Sequence, residues 1–262
     1  MRSKTLFLIM VLCFLPASMY AGSACATPTV VPADGRLVDF DFVAPTSTNF
    51  YEFNGTIGHS YSVEVRQDYD DLQTPNDLTT TVDSDASCTT AVTTTDTTAS
   101  EPALPGNSFR GSFTAAATGT FKIKVVNSNA ATGRYVSVSV SDTTTYNPRW
   151  STFASFVTQY NFVNTTSNQT INGKLTVTPS TAFPSLSPKT ISFTISPGSN
   201  VFQIVGVTGT PGATVTFATA AVGTATFTHD GPPNSVQVDC FFLNPNATVV
   251  VPAKFEPVRQ SR

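Results

Sequence analysis

Residues 121–126, FKIKVV, and 135–140, YVSVSV, set apolar and polar side chains in strict alternation. Phe121, Ile123 and Val125 fall to one side, with Lys122 and Lys124 on the other. Val136, Val138 and Val140 are likewise separated from Ser137, Ser139 and Ser141. A period of two is the mark of a half-buried strand, because successive Cβ atoms point to opposite faces of a sheet. The pattern returns at 38–42, where Val38, Phe40 and Phe42 alternate with Asp39 and Asp41, and at 61–66, where Tyr61, Val63 and Val65 alternate with Ser62, Glu64 and Arg66. No segment sustains helical spacing, and the wealth of Thr and Val favours strands. A sheet with one apolar face must bury it against another layer, so many short strands predict an all-β chain built of sandwiches.

The first 26 residues carry Arg2 and Lys4, an apolar run from Leu6 to Leu15, and then Pro16 and small residues. That order predicts a secretory signal peptide, cleaved after Ala21, Ala24 or Ala26. The run is too short to span a bilayer comfortably, so no transmembrane segment is expected after cleavage. Gly22 stands three before Cys25, where a lipoprotein box needs a Leu-like residue, so lipidation at Cys25 is not expected and the mature chain is read as secreted or periplasmic. Losing residues 1–26 removes two cations and no acid, which moves the net charge from -3 to -5. A chain this acidic offers little to a phosphate backbone, which argues against nucleic-acid binding.

The mature length of about 236 residues suits two cores better than one, since domains cluster near ~100–150 residues. The rhythm lapses at 66–108, rich in Thr and Asp, and again at SDTTTYNPRWS (141–151). The second lapse is read as the domain boundary, dividing the mature chain into 27–145 and 146–262. In an oxidising compartment Cys25 and Cys88, which flank the first set of strands, are the preferred disulfide, with Cys240 a buried free thiol in the apolar run VQVDCFFL. A Cys88–Cys240 bridge between the halves is the alternative.

FYEFNGTIGHSYSVEVRQDYDD (50–71) and FTAAATGTFKIKVVNSNAATGRYVSVSV (113–140), with Gly133 entering the last strand, resemble the opening and the closing hairpin of the bacterial pre-peptidase C-terminal domain. The resemblance covers residues 37–140 and implies a jelly-roll-like sandwich. Two departures stand out: no catalytic domain precedes the module, and its middle is long and Thr-rich. Residues 146–262, from YNPRW through THDGPP to KFEPVR, more loosely resemble an immunoglobulin-like sandwich of bacterial secreted proteins. Neither resemblance implies an activity.

Asp68, Asp70 and Asp71, with Asp83 and Asp85, are the densest carboxylates, and clustered loop carboxylates suit calcium. Some modules of the family that the first half resembles bind calcium, which makes it the one cofactor considered. Solvated turn-capping acids are the plainer reading. The two histidines, His59 and His229, belong to no zinc-ligand spacing, no GxSxG elbow is present, and His229-Asp230-Gly231-Pro232-Pro233 reads as a turn. Tyr51, Phe53, Tyr61, Phe121 and Tyr135 are expected in the core, whereas Tyr69, Tyr146, Trp150 and Tyr160 are expected near loops or the interdomain junction. The chain is therefore expected to be a non-catalytic exported module that binds a protein or a glycan at the cell surface or outside it. A secreted hydrolase with a site in the interdomain cleft and a structural spacer are the alternatives.

Overall fold

A computed structural model describes residues 22–67, 77–96, 108–244, 249–254 and 256–257. Among them the chain is all-β, broken only by a short 3-10 turn at Phe153–Ser155. The strands up to residue 142 are β1 (Thr29–Val30), β2 (Asp34–Val43), β3 (Thr48–Gly55), β4 (Ser60–Gln67), β5 (Leu78–Asp83), β6 (Thr95–Asp96), β7 (Phe109–Thr114), β8 (Gly119–Asn127) and β9 (Arg134–Asp142). They form two sheets, in the orders β1-β3-β8-β5 and β2-β9-β4-β7-β6. From residue 145 follow β10 (Thr145–Ser151), β11 (Val157–Asn164), β12 (Ile171–Pro179), β13 (Lys189–Ile195), β14 (Asn200–Val207), β15 (Val215–Phe217), β16 (Val222–His229), β17 (Val236–Asn244), β18 (Val249–Lys254) and β19 (Glu256–Pro257). Their sheets run β13-β12-β16-β10-β19 and β15-β14-β11-β17-β18.

The alternating apolar residues meet between sheets as their period requires. Tyr51, Phe53, Ile123 and Val125 of the first sheet share one buried cluster with Tyr61, Val63, Val65, Val136, Val138 and Val140 of the second. A second cluster joins Trp150, Leu175, Val177 and Phe227 to Tyr160, Phe162, Val205 and Cys240. Each pair of sheets thus closes over its own interior, since burial of these side chains drives the layers together.

Three aromatic expectations are corrected. Tyr135 is not core: it precedes Val136 on β9, so it points to the opposite face, 44% exposed and 5.0 Å from the Phe42 ring. Trp150 and Tyr160 do not stand at a junction; both are fully buried in the second core. For Trp150 the cause is a register shift on β10 between Asn147 and Trp150, which puts two exposed residues, Pro148 and Arg149, between inward-facing ones. Its indole lies parallel to Phe217 at 4.9 Å, and the N–H donates to the carbonyls of Thr178 (3.2 Å) and Thr224 (3.0 Å). Gly223 opposite must stay small, because a Cβ there would lie 1.9 Å from the Thr178 carbonyl oxygen and 2.8 Å from the indole nitrogen.

Cys25 and Cys88 form the disulfide, and Cys240 is free and buried, so the alternative bridge between the halves does not form. A sulfur in this bridge is not available for a lipid thioether. Burial pushes the Cys240 thiol up to about 12, against the pull of a hydrogen bond with Asn147. The bridge fastens the amino-terminal segment along β3, where Phe50 N–H donates to the Gly22 carbonyl (2.9 Å) and Val31 N–H to that of Glu52 (2.8 Å).

Candidate functional site

Only Thr143 and Thr144 separate β9 from β10, and both are buried. Their polar groups are tied to the turn that starts β4. Thr143 N–H donates to the Ser60 carbonyl (2.9 Å), and Ser60 N–H donates to Thr144 Oγ1 (2.9 Å). Asp142 accepts Thr144 N–H at Oδ1 (3.0 Å), and its Oδ2 lies 2.8 Å from Nδ1 of His59. These bonds hold the connection against the first sandwich, at the start of β4 and the end of β9.

Two cavities open along the seam between the two sandwiches, and His229, at the end of β16, borders both. The larger holds about 860 Å³, with Asp34, Arg36, Glu64, Arg66 and Ser141 on the first sandwich facing Asn234 on the second. Arg36 bonds Asp34 at 2.8 Å, while Glu64 accepts from both Arg66 and Arg110, the latter at 3.0 Å. The Arg36 bond holds the Asp34 carboxyl below its usual value. The smaller cavity, about 450 Å³, lies between the Ser60 and Ser112 side of the first sandwich and Asn172, Phe193 and His229 of the second. Ser62, Ser112 and Ser139 sit on the polar side of their strands, yet each is buried. The outer face of the β2-β9-β4-β7-β6 sheet is thus covered over much of its area.

The structure distributes the expected site residues unevenly. Asp68, Asp70 and Asp71 lie outside the described residues, as does Tyr69. Asp85 accepts the backbone N–H groups of Thr90 (2.9 Å) and Thr89 (3.0 Å) and the Thr89 hydroxyl (2.9 Å), which hold its pKa down. Its carboxylate therefore serves to close the loop that carries Cys88. Asp83 is buried with Oδ2 unpartnered among the described residues, and burial raises its pKa against the pull of Lys124. No group of three or more candidate metal ligands occurs among the described residues. The His59–Asp142 pair bridges 83 positions of sequence, and no local motif announced it. Tyr146 is 38% exposed.

His229 is 6% exposed, its ring stacks 5.5 Å from Phe227, and Nδ1 has no partner among the described residues. Burial pulls its pKa from 6.5 down to about 4. The unfolded chain therefore takes up a proton at this residue first as pH falls, so its contribution is whole above about pH 6.5 and is lost progressively toward pH 4. Between pH 7 and 4.5 the protein is expected to lose about 2 kcal/mol more stability than the His229→Gln variant, by urea unfolding. Equal losses in the two proteins would show that the folded imidazole is not held neutral.

No known family model matches the chain, and no curated protein sequence matches it.

Proposed function

We propose that this chain is a non-catalytic exported module that binds a glycan or protein outside the cell through the seam between its sandwiches. The observation that carries the reading is the larger cavity, whose lining of hydroxyls, an amide and ion-paired side chains comes from both sandwiches. Sandwiches with filled interiors present polar side chains on a preformed scaffold, which leaves less ordering to oppose binding. The disulfide and the signal-like leader support export. Because the Gly22 carbonyl bonds β3 and Cys25 is bridged, processing after Ala21 is the site that keeps both. The likeness of residues 37–140 to secreted pre-peptidase C-terminal modules points the same way.

The test is capture on an immobilised glycan array, with Arg66→Ala as the probe of the larger cavity. Arg66 is half-exposed, and an exposed pair such as Arg66–Glu64 contributes only ~0–1 kcal/mol, so the variant stays folded. At least tenfold weaker capture is expected. Undiminished capture would place the contact elsewhere. The hydrolase reading has one specific observation in its favour, an imidazole oriented by a carboxylate in the His59–Asp142 pair. Turnover of array glycans by the native protein, lost in Asp142→Asn, would replace binding by hydrolysis.

A further inference from the structure

We propose that the free edge of β13 is the surface through which two copies of this chain pair, strand to strand, into a twofold dimer. Among the described residues each of the four sheets ends in two edge strands, and seven of the eight are short, irregular or covered. β1, β6 and β19 are two residues long and β15 is three. β2 carries two register shifts and β18 carries Pro252. β5 is covered where Val92 N–H donates to the Val82 carbonyl (2.7 Å) and Ser84 N–H to that of Thr90 (2.9 Å). Such devices keep an edge from pairing with another chain. β13 lacks them: its seven residues run in unbroken register with β12, without proline or glycine. Its one charge, Lys189, stands at the first position, with the ammonium 5.6 Å over the Phe217 ring.

The edge is complementary to itself, which selects a second copy over an unrelated peptide. Asn172 N–H donates to the Asp230 carboxylate (2.7 Å) and its carbonyl accepts the Asp230 N–H (3.2 Å), so the Asn172 backbone faces the β16 side. Backbone groups alternate sides along an antiparallel strand, so Gly173 and Leu175 bond β13 at Phe193 and Ile191. The N–H and carbonyl groups of Thr190, Ser192 and Thr194 therefore point to the open edge. A twofold axis at Ser192 sets this residue against Ser192 of the second copy and Thr190 against Thr194, each pair exchanging two backbone bonds. On the inner face Ile191 of each copy meets Phe193 of the other. Both side chains pack on the second core yet stay only half-buried, since the edge leaves one flank open, and covering that apolar surface drives the pairing. Thr190, Ser192 and Thr194 are exposed, although the last two border the smaller cavity. Pairing brings no like charges face to face. Lys189 meets Ile195, and the two Lys174 positions, each beside Ser192, stand three strand spacings apart, roughly 14 Å, beyond the ~8 Å screening length.

The experiment measures the mass of the mature chain, beginning at Gly22, by sedimentation velocity over a concentration series. The native protein is expected to approach two chains per particle as concentration rises. Ser192→Lys, which sets like charges opposite each other at an exposed position, is expected to stay a single chain, with the melting midpoint of the dilute native protein. Register is read with cysteines. Ser192→Cys should oxidise to a covalent dimer, because the Cα atoms of opposite residues in a bonded pair lie about 5.5 Å apart, within disulfide reach. Thr194→Cys should not, because its two copies are out of step by roughly 13 Å along the strands. A native protein that stays monomeric up to millimolar concentration would overturn the dimer and leave the edge to an extended segment of another protein. A dimer that survives Ser192→Lys, or that cross-links through Thr194→Cys and not through Ser192→Cys, would place the contact on another surface and overturn the pairing equally.

Discussion

Replacing Trp150 with alanine is expected to cost the second sandwich about 4 kcal/mol, the middle of the range for deleting a buried Trp or Phe. The melting midpoint should fall on the order of 10 °C. Three losses combine in this estimate. The indole is fully buried, its stacking on Phe217 disappears, and the carbonyls of Thr178 and Thr224 lose the donor they share. Trp150→Phe keeps a ring against Phe217 and removes the N–H, so it should cost clearly less than the alanine variant. Trp150 is the only tryptophan in the chain, and its fluorescence reports on this core directly. Native emission should be blue-shifted and poorly quenched by acrylamide. A loss below ~1 kcal/mol, or emission typical of an indole in water, would contradict the burial described here.

The second large effect is expected from the disulfide. The Cys25→Ser/Cys88→Ser double variant should lose about 4 kcal/mol of unfolding free energy, because cross-linking residues 63 apart removes much of the unfolded chain's freedom. Part of the loss is local, since the segment holding Gly22 and β1 is fastened to β3 through few other contacts. Urea unfolding of the oxidised protein and of the double variant measures the difference. Thiol titration of the unfolded, unreduced mature chain should find one thiol, Cys240. Three thiols would overturn the bridge.

The alternation of side chains was sufficient to identify the strands that fill the interiors. Val136, Val138 and Val140 are buried as a period of two demands, and so are Phe121, Ile123 and Val125. Tyr135 was misplaced where that rule was set aside: its aromatic ring was weighed above its place beside Val136 on β9, which puts it on the opposite face. Trp150 was expected at the junction because it ends the polar run 141–151 read as a linker, and the register shift on β10 that turns it into the core leaves no plain mark in composition. The Cys25–Cys88 pairing was preferred from the position of the two cysteines around the strands. Asp85 was legible as a polar loop residue, and its hydrogen bonds to Thr89 and Thr90 fit the turn-capping reading. The seam was not legible. His59 and Asp142 lie on separate strand ends, and Ser112 and His229 approach one cavity from different sandwiches.

From the sequence by itself came the all-β class and the inward apolar sets, since these follow from side-chain polarity taken in order along an extended backbone, whereas the choice of Cys25–Cys88 over Cys88–Cys240 was preferred in the sequence and decided by the structure. Tertiary structure alone decided that the serine face of β4, β7 and β9 is covered, that Thr143 and Thr144 are tied back to the start of β4, and that residues of both sandwiches line the two cavities. A polar residue on the outer side of a strand looks the same in sequence whether water or a second sandwich covers it. The difference is made by how two finished bodies meet, and that depends on contacts between residues far apart in the chain.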